Sequence, residues 1–237
     1  MEEDKNTETK PLVQESTGEK EPSSFRLIMT LGVAGFLAGL IMVGTYLYTK
    51  PLIEANKAAA IEKAIFKVLP KCTSFKTLEL KDEKLSEFDS KNKTAKGEAP
   101  KLIYMGFDSS SAMVGFAILG SEIGFADVIT ILMGYDANKK TIIGYEVLEC
   151  KETPGLGDKI FKRADFLKNF TSLLTEPEII FAKHGEKHNP NEVEAITGAT
   201  ISSKAVIRLL NKSMKEWKVP INDFINSTDN KTSEAKK

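Results

Sequence analysis

Residues 194–203 read Glu194-Ala195-Ile196-Thr197-Gly198-Ala199-Thr200-Ile201-Ser202-Ser203. Gly198 allows a tight approach after Thr197, and from about Thr200 the pattern is helical through Trp217. Ala205, Val206, Leu209, Leu210 and Trp217 form the apolar stripe of that helix, with Asn211, Lys212 and Lys215 on its other side. The result is a helix start rich in hydroxyls, where free backbone N–H groups and the helix dipole favour an anion. Many phosphate sites fit that description. A helix with one apolar face also needs a surface to cover, and the residues before it supply one.

That surface is a sheet. Lys101–Phe107, Ala112–Leu119, Asp127–Tyr135 and Thr141–Cys150 are rich in Val, Ile, Tyr, Phe and Met. Polar turns separate them, Asp108-Ser109-Ser110-Ser111 and Asp136-Ala137-Asn138-Lys139-Lys140 among them, so this part reads as an antiparallel meander. Weak alternation around Phe75–Leu80 adds an edge strand. Ala164–Leu174 has a helical pattern, Glu178–Ala182 reads as a short strand, and Lys183–Asn191 as a polar loop. Pro220 starts a short last helix. The fold class is α+β, an antiparallel sheet with helices packed on one face, in a domain of about 150 residues with a core of its own.

Working outward to the N-terminus, residues 1–25 are polar and acidic and predict a disordered tail. Leu27–Tyr48 then carries no charge at all. At about 1.5 Å per residue it makes roughly 33 Å of helix, enough to cross a bilayer. The run is too long for a signal-peptide core, its N-terminal flank is acidic, and no small-x-small cleavage site follows. Residues 26–49 therefore read as one N-terminal transmembrane helix. Lys10, Lys20 and Arg26 precede it and Lys50, Lys57, Lys63 and Lys67 follow, a balance that does not favour an N-terminus inside. Pro51 suits the start of a second, juxtamembrane helix over 50–70, which Pro70 stops. Its stripe, Leu52, Ile53, Ala60, Ile61, Ala64, Ile65, Val68 and Leu69, is suited to packing on the domain that follows. Residues 227–237 form a tail.

Lysine plus arginine equals aspartate plus glutamate, 33 each, so no basic field points to nucleic acid. Cys72 and Cys150 are too few and too far apart for a zinc or iron–sulfur site; a pair in an oxidising compartment is one reading and two unpaired small hydrophobes the other. His184 and His188 have i,i+4 spacing, but Gly185 and Asn189-Pro190 argue for a loop, and no third metal ligand is evident. There is no nucleophile elbow, P-loop or zinc-binding helix motif. The other stretch with chemistry is Lys151-Glu152-Thr153-Pro154-Gly155-Leu156-Gly157-Asp158-Lys159, directly after a strand. Pro154-Gly155 forces a turn, and the glycines let the backbone approach a flat group closely. Gly155-x-Gly157 is not a dinucleotide fingerprint, because the third glycine and the βαβ unit are missing.

The two stretches together resemble a known family. T-G-A-T-x-S-S at 197–203 with an upstream acid is similar to the flavinylation motif of FMN-binding domains in the G subunits of Rnf-type ion-translocating electron transport complexes. The C subunits of sodium-translocating NADH:quinone reductases carry the same kind of motif. E-T-P-G-L-G at 152–157 matches a second segment of that family. The resemblance implies FMN bound covalently to Thr200 through a phosphoester. Thr197, Gly198 and Ala199 would give backbone donors and close approach, and Ser203 a hydrogen bond to the phosphate. Glu152, Thr153, Leu156 and Gly157 would lie along the isoalloxazine ring. Residues 71–226 would be the FMN-binding domain, facing the periplasmic or outer side of the inner (cytoplasmic) membrane.

Threonine is a poor nucleophile without a base, so the attachment needs a separate flavin transferase, which the resemblance implies uses FAD and a divalent metal. The implied partners are the other subunits of a membrane complex linking ferredoxin and NAD, in which this chain is a redox subunit rather than an enzyme alone. Glu194 departs from the aspartate usual in the motif, and Thr197 from the commoner serine. The competing readings are an FMN subunit of a quinone reductase and a membrane-tethered binding or scaffold domain.

Overall fold

The computed structural model describes residues 23–88 and 100–234. The predicted N-terminal tail lies almost wholly outside the described residues. The chain divides into two compact units, Met1–Glu54 and Ala55–Lys237.

Helix α1 spans Ser24–Val68 without a break, and Pro51 lies inside it rather than starting a second helix. Proline removes one i→i−4 bond, but good helix formers such as Ala58, Ala59 and Ala60 follow and carry the helix on. Thr45 and Thr49 donate their hydroxyls back to the Ile41 and Thr45 carbonyls at 2.8 and 2.9 Å. The apolar stretch of α1 is long and apolar enough to cross a membrane.

In the second unit the strands are β1 (Ser74–Lys81), β2 (Lys84–Glu87), β3 (Leu102–Phe107), β4 (Met113–Ile123), β5 (Val128–Asp136), β6 (Thr141–Glu149) and β7 (Leu173–Leu174). Among the described residues they form one antiparallel sheet in the order β2–β1–β3–β4–β5–β6–β7. This is the predicted meander with a hairpin added at one edge. Side chains alternate across it. Phe116, Ile118, Ile129, Ile131 and Met133 point to one face and meet Val206, Leu209, Leu210, Met214 and Trp217 of helix α4 (Thr200–Glu234). Ala117 and Leu132 point to the other, where Ala64, Ile65, Val68 and Leu69 at the end of α1 cover them. Helices thus pack on both faces, not one. Gly134 permits the second contact, since a Cβ there would lie 2.2 Å from the Val68 carbonyl oxygen.

Two further helix predictions are corrected. Ala164–Leu174 is not one helix: α2 (Lys159–Lys162) and α3 (Ala164–Lys168) flank an extended Arg163, and β7 follows. Aromatic packing and edge pairing decide this. Phe170 meets Tyr145 edge-on at 4.7 Å and Phe166 at 5.2 Å, while β7 pairs with Thr141 and Ile142. Pro220 does not start a last helix either but lies inside α4, which runs on to Glu234 through most of the expected tail over 227–237. Burial of Trp217 and Ile221 at helical spacing holds the segment on the core across the missing bond. The predicted strand before the polar loop is β8 (Ile180–Ala182), which pairs in parallel with β9 (Glu192–Glu194) as a separate ribbon leading into α4.

Candidate functional site

Three segments converge beside the start of α4. The first leaves β6 after Glu149. The Thr153 carbonyl accepts the N–H groups of Leu156 and Gly157, both at 3.1 Å, closing a turn in which Gly155 has φ +78°. That turn sets Leu156 on the surface, half exposed. The second is the β4–β5 turn, closed by the Gly124 N–H on the Asp127 carbonyl at 2.9 Å, which carries the largely exposed Phe125. The third comes from β9. Gly198, at φ +82°, turns the chain, the Ala199 N–H bonds the Ile196 carbonyl at 3.0 Å, and the Ser203 N–H bonds the Ala199 carbonyl at 2.9 Å to open the helix.

Ala199 thus occupies the cap position with a methyl group where a hydroxyl or carboxylate would ordinarily accept from the first turn. Among the described residues, the N–H groups of Thr200, Ile201 and Ser202 have no protein acceptor. They are donors in want of an anion, beside the exposed Thr200 hydroxyl.

Between the segments is a cleft of about 300 Å³ lined by Phe125, Glu152, Thr153, Leu156, Gly157, Gly198, Ala199, Thr200, Ile201 and Ser202. Phe125, Leu156 and Ile201 make its sides apolar, and the unpaired amides make its end polar. A flat ring with a phosphate tail fits that division. Residues 124–215 match the FMN-binding domain family, a span that starts at the Phe125 turn and ends within α4. The chain is 29% identical over 189 residues to the G subunit of the ion-translocating oxidoreductase complex of Methanosarcina acetivorans, covering 80% of this chain and 92% of that one. It is 30% identical over 194 residues to the G subunit of the Na(+)-translocating ferredoxin:NAD(+) oxidoreductase complex of Acetobacterium woodii, covering 81% and 91%. The chain belongs to the family of Rnf-complex G subunits.

A member of this family is an FMN-binding electron-transfer protein, and the α+β fold agrees. The crystal structure of Shewanella oneidensis NqrC superposes with a TM-score of 0.53 at 19% identity, over 69% of this chain and 85% of that one.

Not every residue singled out in the sequence faces the cleft. Ser203 is fully buried; its Oγ accepts the Ile196 N–H at 3.2 Å and donates to the Ala199 carbonyl at 2.9 Å, so it braces the turn instead of meeting a phosphate. Thr197 lies on a neighbouring cleft of about 490 Å³ with Lys183, His184 and Lys204, and Thr200 and Gly198 stand on the ridge between the two. Glu194 turns toward the 183–191 loop, where it accepts the Gly185 N–H at 2.7 Å and contacts His184 Nδ1. His188 bonds Glu192 through its backbone N–H. Cys72 and Cys150 are free thiols, and burial pushes the Cys150 thiol above its ordinary pKa.

Glu152 lines the cleft but is only 6% exposed. Burial opposes its ionisation, yet the Ser202 hydroxyl and the backbone N–H groups of Ala126 and Phe125 outweigh that and hold its carboxyl below the ordinary glutamate value. Sequence reasoning does not single out Phe125, Ile201 or Ser202. A signal for Phe125 exists, an aromatic residue inside a Gly-x-Ala-Asp turn.

Proposed function

We propose that this G subunit carries FMN as a phosphoester on Thr200 Oγ and relays electrons within an ion-translocating ferredoxin:NAD oxidoreductase complex. The observation that carries the reading is the exposed Thr200 hydroxyl set between unpaired N–H groups and an apolar cleft. The amides of Thr200, Ile201 and Ser202 would hold the phosphodiester, whose remaining negative charge suits a helix start. Phe125, Leu156 and Ile201 would flank the ring, and its redox chemistry belongs to the cofactor.

Attachment forms an Oγ–phosphorus bond and breaks the FAD pyrophosphate, with AMP leaving and the hydroxyl proton lost. No side chain among the described residues is hydrogen-bonded to the Thr200 hydroxyl, and the Glu152 oxygens are engaged elsewhere. Activation of Thr200 therefore falls to a separate flavin transferase. The apolar stretch of α1 anchors the protein in the inner membrane, with the FMN-binding domain on the periplasmic or outer side. A covalent link keeps the flavin in place through redox states in which its affinity changes.

Expression with and without a flavin transferase tests this. Denatured, gel-separated chain should fluoresce as flavin only when the transferase is present, and Thr200→Ala should abolish the band. Flavin that separates from the chain on denaturation would refute the covalent reading. A phosphatase fused after Lys237 should be active only if the domain is exported.

A further inference from the structure

Glu152 stands where the three walls of the cleft meet. It belongs to the loop after β6, and its oxygens reach the other two. Oε1 accepts the N–H groups of Phe125 and Ala126 in the β4–β5 turn, at 2.8 and 3.0 Å. Oε2 accepts the hydroxyl of Ser202, in the first turn of α4, at 2.6 Å. Two glycines make room for the carboxylate. A Cβ on Gly124 would lie 2.3 Å from Oε1, and one on Gly157 would lie 2.3 Å from Oε2 and 2.9 Å from Ser202 Oγ. The side of Gly157 on which a side chain would grow is thus filled by Glu152 and Ser202. A bare backbone is needed there for the carboxylate, whatever lies in the cleft.

We propose that Glu152 is the positioning residue of this site, a clamp that fixes Phe125 on one wall relative to Thr200 on the other, and that Gly124 and Gly157 are its seat. Every polar contact its oxygens make is to a wall of the cleft, so it acts through Phe125 and the helix start. A buried carboxylate with three donors is a rigid link, because hydrogen bonds to a charged group are the stronger kind and leaving one unmade inside the protein is costly. The inference rests on reading Thr200 as the flavin carrier and says what sets the spacing of the ring's two sides. Each partner of the clamp is far from Glu152 along the chain, so the carboxylate ties the loop after β6 both to the β4–β5 turn and to the start of α4.

Hydrogen exchange on the full chain in detergent, without flavin, reads the clamp directly. Glu152→Ala should speed exchange of the Phe125 and Ala126 amides by about tenfold or more, with β5 amides keeping wild-type protection. Ser202→Ala removes only the link to α4 and should leave those two amides within a few-fold of wild type. On chain loaded by the transferase, both variants should lower flavin fluorescence anisotropy, because the ring loses one fixed wall. Wild-type exchange in Glu152→Ala overturns the proposal. So does wild-type anisotropy in Ser202→Ala, which also decides the matter if Glu152→Ala does not fold. Absence of flavin on Thr200 in the loaded wild type would sink the functional reading alone, and the exchange experiment would still decide the clamp.

Discussion

Gly157→Ala should be far more damaging than Gly155→Ala, although both change a glycine of the same turn. At Gly157 the new Cβ would sit 2.3 Å from Glu152 Oε2 and 2.7 Å from Glu152 Cβ. Carbon and oxygen do not approach below about 3 Å, so the carboxylate must move by roughly an ångström. The 2.6 Å bond from Ser202 then breaks, and a hydrogen bond to a charged group is worth about 1.5–3 kcal/mol. With the strain of displacement added, the expected loss is about 2–4 kcal/mol. At Gly155 nothing lies within 4 Å of a new Cβ, and the only penalty is its φ of +78°, about 1–2 kcal/mol for an L-residue. Urea unfolding of the full chain in detergent, followed by the single, buried Trp217, measures both. Gly157→Ala within about 0.5 kcal/mol of wild type, or a larger loss at Gly155, would refute the reasoning.

The depressed Glu152 titration has a direction in pH. Its contribution is complete above the ordinary glutamate range and is lost as pH falls through the lower folded value. The stability difference between wild type and Glu152→Gln should therefore shrink on acidification across that window, as urea midpoints will read. Tyr145, 7% exposed, donates its hydroxyl to the Ile160 carbonyl; Tyr145→Phe leaves that oxygen unpaired and should cost about 1–3 kcal/mol in the same unfolding assay. Leu69 is fully buried against the sheet at the end of α1, so Leu69→Ala should cost about 2–5 kcal/mol by urea or thermal unfolding.

Local chemistry explains which parts of this molecule are readable in its sequence. The four central strands are β-branched runs broken by polar turns, and the start of α4 is a glycine followed by an apolar stripe. Both signals lie within a few residues. The β1–β2 hairpin escapes such a reading because its turn is Asp82-Glu83, both at positive φ, without the Asn-Gly or Asp-Gly pair that advertises such a turn. Pro51 and Pro220 carry the mark of helix starts, a sound local rule that burial of Ile221 and Trp217 overrides in α4.

The site divides in the same way. Thr200, Gly198, Ala199, Leu156 and Thr153 line one cleft because they belong to two turns that the sequence announces. Ser203 has the spacing of a phosphate ligand, but one turn of helix carries its hydroxyl back to Ala199. The Glu152 clamp is not legible, because its partners Phe125, Ala126 and Ser202 are distant in the chain and only the fold brings them within hydrogen-bond reach.

The central claim is that Thr200 carries the flavin, and the mass of the peptide containing it is the most direct measure. From cells that make the flavin transferase, the peptide spanning Thr200 should be heavier by one FMN less water, and Thr200→Ala should yield only the unmodified mass. An unmodified Thr200 in such cells, or an adduct on any other residue, would contradict the account.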